Sequence, residues 1–206
     1  MDKKKIIFLC ASEITIRSFL IDHIQKLKNK NTKIYLITNF NFKKKKYKNL
    51  NVNLIDIQFR RNISLFNDLF CLLHLTLLLI KIKPNIIVSM SPKGGLLSCL
   101  ASFFSNIETR VHIFTGQVWA NKTGLLKKFL ILSDKIIIKL STHILADSNS
   151  QKNFLFKNKL LKNKSTCTVI NNGSICGVDS KIYKKNSLIR TKVRKILKIN
   201  NNSVVL

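Results

Sequence analysis

The sequence is poor in acidic residues, with nine Asp and Glu against 37 Lys and Arg, and its formal net charge is +28. A solvated protein surface normally mixes charges of both signs, so the shortage of acids needs an explanation. One explanation is a polyanionic partner, such as nucleic acid, anionic lipid or a phosphorylated substrate. The other is that the abundance of Lys, Asn and Ile reflects an AT-rich genome, with Lys filling ordinary surface positions.

Cysteine and histidine patterns typical of metal sites and disulfide frameworks are also missing. The five cysteines are odd in number and no two have CxxC spacing, and the four histidines show no metal-ligand spacing. Cys10, Cys71 and Cys99 lie in apolar runs, where a free thiol acts as a small hydrophobe. These features favour a reducing compartment over a disulfide-stabilised or zinc-binding protein. We expect neither a metal nor an organic cofactor.

Several other signatures are missing. The sequence has no GxGxxG fingerprint and no P-loop, which argues against a classical dinucleotide site. RNP, KH and zinc-finger patterns are missing and the Lys residues are spread along the chain, which argues against a nucleic-acid-binding domain. The longest apolar run, residues 69–80, falls short of the roughly 20 residues that span a bilayer. It predicts a buried or interface-facing helix.

What the chain does have is an alternation of short apolar runs and helical stretches, and 46% apolar residues from which to build a core. Strands are predicted at residues 5–11, 33–39, 52–57, 85–91, 110–116, 142–148 and 165–174. Helices are predicted at residues 15–30, 64–82, 96–106, 122–140 and from Ser148 onward. This order predicts an α/β fold with a doubly wound, mostly parallel, Rossmann-like sheet.

The end of the sequence has a different character. We expect one domain over residues 1–180. Residues 181–202 are basic and polar, with a short helix around residues 187–197, and predict a linker. Residues 203–206, SVVL, begin a new apolar run. They predict the stub of the first strand of a further domain.

Ligands of a doubly wound sheet bind at the carboxyl ends of its strands, so the polar residues there are the candidate site. After the fourth strand, Lys93, Gly94 and Gly95 allow close backbone approach and favour an anion; a plain helix-entry turn is the alternative. After the fifth strand, residues 115–119 combine hydrogen-bonding groups with a flat apolar ring. The candidates there are Thr115, Gly116, Gln117 and Trp119. Such a surface suits a sugar, unless Trp119 simply packs into the next helix.

Three further loops belong to the predicted cleft. The residues are Ser12 and Glu13 after the first strand, Asp147 and Ser148 after the sixth, and Asn172 and Gly173 after the seventh. Asp147-Ser148 also fits an ordinary helix N-cap, and Asn-Gly is a common turn signal. Glu13, Asp147 and Asp179 are the only carboxylates that the sequence places near the cleft. No Ser-His-Asp arrangement is present, and no catalytic residue is assigned.

Four stretches occur together in a familiar order and spacing: SMSPKGGLLSCLAS, RVHIFTGQVWANKTGLLK, THILADSNSQKNFL and VINNGSICGVDSKIY. They resemble the amino-terminal half of a family 4 glycosyltransferase, of the bacterial branch that builds O-antigen and capsular polysaccharide. The resemblance covers roughly residues 5–184. FTGQVW and NGSICGVD are its most specific parts.

The resemblance implies half of a GT-B fold, in which two Rossmann-like domains enclose the active site. The amino-terminal domain receives the acceptor, and the carboxy-terminal domain binds the nucleotide-sugar and carries a paired-glutamate motif. Many relatives have His-Gly or His-Asp where this chain has Thr115-Gly116, and Gly-Gly where it has Ser12-Glu13. No catalytic histidine is therefore assigned to the loop after the fifth strand.

The implied activity is transfer of a hexosyl unit, with retention and without a metal, from a nucleotide-sugar to a polyprenyl-diphosphate-linked or other glycan acceptor. Lys93, Gly94 and Gly95 would hold the diphosphate of the acceptor, and the loop at residues 115–119 its sugar. The missing donor-binding domain would leave this chain inactive alone. We expect it on the cytoplasmic side of the membrane, as a peripheral protein. The basic helix at residues 122–140 has an apolar stripe suited to an anionic membrane surface or to covering the sheet.

Three alternatives remain at the level of the sequence. The chain could be a non-catalytic, membrane-surface or subunit-like module that binds the acceptor. It could be a basic nucleic-acid-binding domain, which the charge favours and the missing motifs oppose. It could also be a sugar-nucleotide epimerase, a class with the same two-domain fold whose chemistry depends on acidic and histidine residues in the cleft; the poverty of carboxylates argues weakly against this class.

Overall fold

The computed structural model describes residues 3–28, 31–40, 47, 49–60, 62–181 and 183–205. The chain forms two compact units, Met1–Cys176 and Gly177–Leu206. The first unit contains the sheet and the residues of the predicted cleft except Asp179, which belongs to the second unit. The boundary at residue 177 lies close to the predicted end of the domain at residue 180.

Seven parallel strands form a single sheet within the described residues. They are β1 (Lys4–Cys10), β2 (Thr32–Thr38), β3 (Asn53–Asp56), β4 (Ile86–Met90), β5 (Thr109–Phe114), β6 (His143–Ala146) and β7 (Cys167–Val169). The strand order is β3-β2-β1-β4-β5-β6-β7. The predicted doubly wound α/β fold is confirmed, and the strand pairs β1–β2, β1–β4, β2–β3, β4–β5, β5–β6 and β6–β7 are all parallel.

Helices lie between β1 and β2 and between the successive strands from β3 to β7, and one more follows in the second unit. They are α1 (Glu13–Phe19), α2 (Ile21–Leu27), α3 (Leu65–Ile82), α4 (Pro92–Phe104), α5 (Gly124–Leu140), α6 (Asn149–Lys157) and α7 (Ser187–Ile196). The helix predicted at residues 15–30 is divided at Leu20 into α1 and α2. Helix α4 begins four residues earlier than predicted because Pro92 occupies its first turn, where a missing N–H costs nothing.

Both faces of the sheet are buried, which explains the nearly continuous apolar strands. Alternate residues of β1 point to opposite faces: Ile7 and Leu9 pack with α3 and α4, whereas Ile6, Phe8 and Cys10 pack with α1 and α2. A third cluster joins β5 and β6 to α5 and α6.

This winding creates the crevice. The neighbouring strands β1 and β4 are paired up to Cys10 and Met90, but the helices that follow them lie on opposite faces of the sheet. Their loops therefore separate at the carboxyl ends, at a topological switch point. The loops after β1, β4 and β5 border this opening.

The second unit, Gly177–Leu206, contains α7, in agreement with the predicted short helix. Asn186 caps α7 by accepting a hydrogen bond from the Ile189 N–H at 3.0 Å. The buried Arg194 donates to the carbonyl oxygens of Asn200 and Ser203. Residues 203–205 form no strand, and Leu206 lies outside the described residues. The linker at residues 181–202 and the strand stub stay predictions.

Candidate functional site

The first turn of α4 lies at the crevice, and its glycines meet the protein itself. A Cβ on Gly94 would lie 2.9 Å from the backbone nitrogen of Ala11, and one on Gly95 would lie 2.3 Å from Cε1 of His112. Both glycines are buried within α4, and the Gly95 N–H donates to the carbonyl of Ser91 at 2.7 Å. Their small size lets α4 approach the loop after β1 and the strand β5. Packing therefore explains both glycines without a ligand.

His112 is a buried residue of this region that the sequence did not single out. Its Nδ1 lies 2.9 Å from the hydroxyl oxygen of Ser89, and its ring makes an edge contact with Phe114. Burial lowers the pKa of His112 to about 3. The imidazole is therefore neutral near pH 7, and it fills the space that Gly95 leaves open.

The ammonium group of Lys93 is held beside the first turn of α3. Its Nζ lies 2.8 Å from Oδ1 of Asp68 and donates to the carbonyl of Asn62 at 2.5 Å. The side chains of Lys93 and Asp68 are 16% and 20% exposed to solvent. Lys93 thus lies in the first turn of α4, after β4, and an anionic ligand would have to share it with Asp68.

The loop after β5 has an exposed part and a buried part. Thr115 and Gly116 are exposed, and Gly116 has a φ of 136° with nothing within 4 Å of an added Cβ. Gln117 is half-buried, and its Oε1 accepts a hydrogen bond from the side-chain amide of Gln151 on α6. The open backbone that the sequence predicted at Gly116 is therefore present.

The predicted exposed face of Trp119 is absent. Trp119 is only 2% exposed, and its ring stacks obliquely on Phe154 with the centroids 5.3 Å apart. Its indole N–H donates to Oδ2 of Asp134 at 2.7 Å. The side chain is the packing residue that the sequence left as an alternative, because residues 117–122 turn the chain inward before α5 begins.

Asp134 is the carboxylate beside the cleft that the sequence analysis missed. It lies on α5, is 4% exposed, and accepts the Trp119 bond described above. Burial raises its pKa, and the hydrogen bond from Trp119 acts in the opposite direction. The sequence feature that could have identified Asp134 is an acidic residue within an apolar helix, in a chain with few acids.

A small cavity joins the loops after β4 and β5. Ser91 and Pro92 line it from one side and Thr115 and Gly116 from the other, with His112 and Asp134 at its base. Its volume is ≈ 10 Å³, which is room for about one water molecule. The two loops that carry the main sequence motifs therefore face one another.

The remaining predicted residues are engaged in local structure. Glu13 is buried, and its Oε1 accepts a 2.8 Å hydrogen bond from the Tyr47 hydroxyl; burial and this carboxylate raise the pKa of Tyr47. Ser12 is half-buried and precedes α1 without a side-chain cap bond. Among the described residues, no group of three or more His, Cys, Asp and Glu could hold a metal ion.

The loops after β6 and β7 pack against each other. Ser148 caps α6, since its hydroxyl accepts from the Gln151 N–H at 3.2 Å and donates to Asp147 at 2.9 Å. The Cβ position of Gly173 lies 2.6 Å from the Asp147 carbonyl. The side chain of Asn172 is exposed. Ser148 therefore has the N-cap role that the sequence left as an alternative.

Comparisons with known proteins show what this chain is similar to. No family model matches the chain. It is 30% identical over 183 residues to the capsular polysaccharide biosynthesis glycosyltransferase CapM of Staphylococcus aureus, a match that covers 88% of this chain and 47% of CapM. The chain thus spans about half the length of the curated relative it matches. The resemblance predicted from the four sequence stretches is confirmed.

Solved structures agree on the fold. Anabaena HepE in complex with UDP-glucose superposes with a TM-score of 0.63 at 14% identity, covering 96% of this chain and 50% of HepE. The UDP-GlcNAc 2-epimerase of Methanocaldococcus jannaschii has a TM-score of 0.58 at 17% identity, covering 94% of this chain and 53% of the epimerase. The chain therefore has the fold of one half of a GT-B protein, which transferases and epimerases share.

Proposed function

We propose that the chain is the acceptor-side half of a glycosyltransferase of cell-surface polysaccharide synthesis. The observation that carries this proposal is the 30% sequence identity with CapM over 88% of this chain. The full reaction would transfer a hexosyl unit, with retention, from a nucleotide-sugar to a polyprenyl-diphosphate-linked or other glycan acceptor. The match to about half of CapM supports assigning donor binding to a further domain.

The crevice suits the anionic part of such an acceptor. Helix α4 has 13 residues and its amino end lies at the crevice, where the helix dipole and the first-turn N–H groups favour negative charge. Lys93 adds a cation at the same end. A diphosphate would draw Lys93 from Asp68 or share it.

The sugar of the acceptor would lie against the exposed part of the loop after β5. Gly116 leaves its backbone open there, and Thr115 offers a hydroxyl group. Trp119 would act from beneath, by anchoring the loop to Asp134. We assign no catalytic residue to this half, because Glu13 and Asp134 are both buried in hydrogen bonds.

We also propose that the protein is peripheral at the cytoplasmic face of the membrane. The net charge of +28 would attract it to anionic lipid, and a polyprenyl-linked acceptor would lie in that membrane. A non-catalytic module that binds the acceptor is the second candidate, since the chain matches only about half of its curated relative.

The test is sugar transfer from a panel of UDP- and GDP-sugars to a polyprenyl-diphosphate-linked sugar. The chain would be expressed together with the coding sequence that follows it. Transfer that falls about tenfold or more in Lys93→Ala would support the proposed diphosphate contact. Lys162→Ala is the matched control, because Lys162 is exposed and lies near the amino end of β7, away from the crevice.

The other outcomes separate the alternatives. Tight acceptor binding by the chain without transfer in the longer protein would favour the non-catalytic module. Epimerisation of a UDP-sugar without any acceptor would favour the epimerase class. Strong, salt-sensitive binding of duplex DNA without either activity would favour a nucleic-acid partner.

A further inference from the structure

We propose that the outer face of α3 docks the protein on an anionic membrane surface. This outer face consists of seven large apolar side chains, all exposed: Leu65, Phe66, Leu69, Phe70, Leu73, Leu77 and Ile80. Three of them are exposed by 75%, 91% and 68%, namely Leu65, Phe66 and Phe70. The inference deepens the proposed function by identifying the surface that would meet the membrane.

Helix α3 carries apolar side chains on both its inner and its outer side. With residues about 100° apart on a helix, the seven side chains fall within an arc of about 140°. The opposite side of the helix carries Cys71, Leu75, Leu79 and Ile82, which are buried against the sheet and α4. A helix of a soluble protein normally pairs its buried stripe with a polar outer face. In α3 the outer face is apolar as well.

The inner face also decides how α3 would meet a bilayer. By length and composition α3 is long and apolar enough to cross a membrane, and 22% of it is buried. However, α3 connects β3 to β4, and its inner side chains belong to the main core. We therefore infer that it lies in the plane of the interface, with its outer face among the lipid chains.

Charges around the outer face favour anionic lipid over a second copy of the chain. Arg60, Lys81 and Lys83 are exposed at the two ends of α3. The one acid of α3 is Asp68, which is paired with Lys93. Cations that border an apolar face match a lipid headgroup layer. A second copy would instead bring another chain of +28 against the first, which is unfavourable.

A groove continues the surface at the end of α3. Ile80 and Phe104 line it together with Lys4 and Lys83, and its volume is ≈ 760 Å³. Glu108 also lines this groove, so that two cations and one acid face the space. The exposed ring of Phe104 extends the apolar face beyond α3.

The opposite end of α3 reaches the crevice. Lys93 bonds to Asp68 in the first turn of α3 and to the carbonyl of Asn62 just before it. Docking through α3 would therefore bring the amino end of α4 close to the lipid headgroups. A membrane-anchored acceptor could then place its diphosphate there without leaving the bilayer.

The test is co-sedimentation of the whole 206-residue chain with vesicles of phosphatidylcholine, with and without phosphatidylglycerol. We expect the wild type to bind the anionic vesicles. In the double variant Phe66→Ser, Phe70→Ser, we expect the affinity for these vesicles to fall about tenfold or more. The control is Ile14→Ser, Ile170→Ser, which removes two exposed apolar side chains outside α3 and should change binding by less than about twofold.

A third variant, Leu125→Ser with Leu132→Ser, examines α5. The sequence predicted that this basic helix has an apolar stripe suited to a membrane surface, and both leucines are exposed. A larger loss in this variant than in the α3 variant would overturn the inference. Equal vesicle binding by wild type and the α3 variant would also overturn it. So would a wild type that binds no vesicles but forms, in sedimentation equilibrium, a dimer that the α3 variant loses. Vesicle binding needs neither donor nor acceptor, so failure of sugar transfer would leave this test intact.

Discussion

Replacing Asp134 tests whether the loop after β5 is anchored from beneath. The Trp119 indole N–H donates to this buried carboxylate at 2.7 Å. Asp134→Ala would leave that donor without a partner in a dry site, at a cost of ~1–3 kcal/mol in the free energy of unfolding. Asp134→Asn keeps the shape and an acceptor oxygen and removes a charge whose burial is unfavourable, so we expect a cost below ~1 kcal/mol.

A comparison of wild type with Asp134→Asn at different pH values tests the buried charge more sharply. Burial raises the pKa of Asp134 above its ordinary value of 3.8, so the folded state binds this proton more tightly than the unfolded state. The stabilisation is complete below the ordinary pKa and is lost as the pH rises through the raised value. Wild type should therefore gain stability relative to Asp134→Asn as the pH falls toward 4.

Urea unfolding from pH 7 to pH 4 measures this difference. The chain has one Trp, so its fluorescence reports directly on the residue bonded to Asp134, and circular dichroism gives an independent signal. The other titrating groups are shared by the two proteins and cancel in the comparison. A difference that does not change with pH would refute the reasoning. So would an Asp134→Ala cost that persists in full in a Trp119→Phe background.

Two further predictions concern the neighbouring loops. Gly95→Ala should lower the free energy of unfolding by ~1–3 kcal/mol, because its Cβ would lie 2.3 Å from His112; thermal unfolding with and without His112→Ala checks this, and an equal loss in both backgrounds would contradict it. Ser148→Ala should cost ~1 kcal/mol through loss of the α6 cap. Ser165→Ala, at an exposed position outside α6, is its control in urea unfolding, and indistinguishable variants would count against the cap.

The sequence predicted the sheet well because parallel strands buried on both faces carry their own signal. Runs such as Ile6–Cys10 are apolar at every position, and both side-chain directions enter a core. Boundaries were less certain. The strand predicted at residues 165–174 ends at Val169, since Asn171 and Gly173 have positive φ values and turn the chain back toward Asp147.

The candidate site was predicted by position but less well by chemistry. The loops after β4 and β5 do face each other, because strand order alone brings carboxyl ends together. Which side chain points outward depends on packing between distant elements. Trp119 turned inward to meet Asp134, fifteen residues later on α5, and Gly95 is small because His112 on β5 needs its space. Neither pairing leaves a local pattern in the sequence.

The same limit applies to the shortage of acids. From composition, the shortage of acids indicated either a surface suited to a polyanion or the amino-acid usage of an AT-rich genome. In the structure, three of them are used internally: Glu13 accepts from Tyr47, Asp134 accepts from Trp119, and Asp68 holds Lys93. The acids that remain for the surface are fewer than the composition implies, so the exposed charge is even more one-sided. Under the proposed docking, this charge and the apolar outer face of α3 would be two separate contributions to binding an anionic bilayer. Because the electrostatic attraction weakens with salt and the apolar contact does not, any vesicle binding that remains at high salt would measure the contribution of α3.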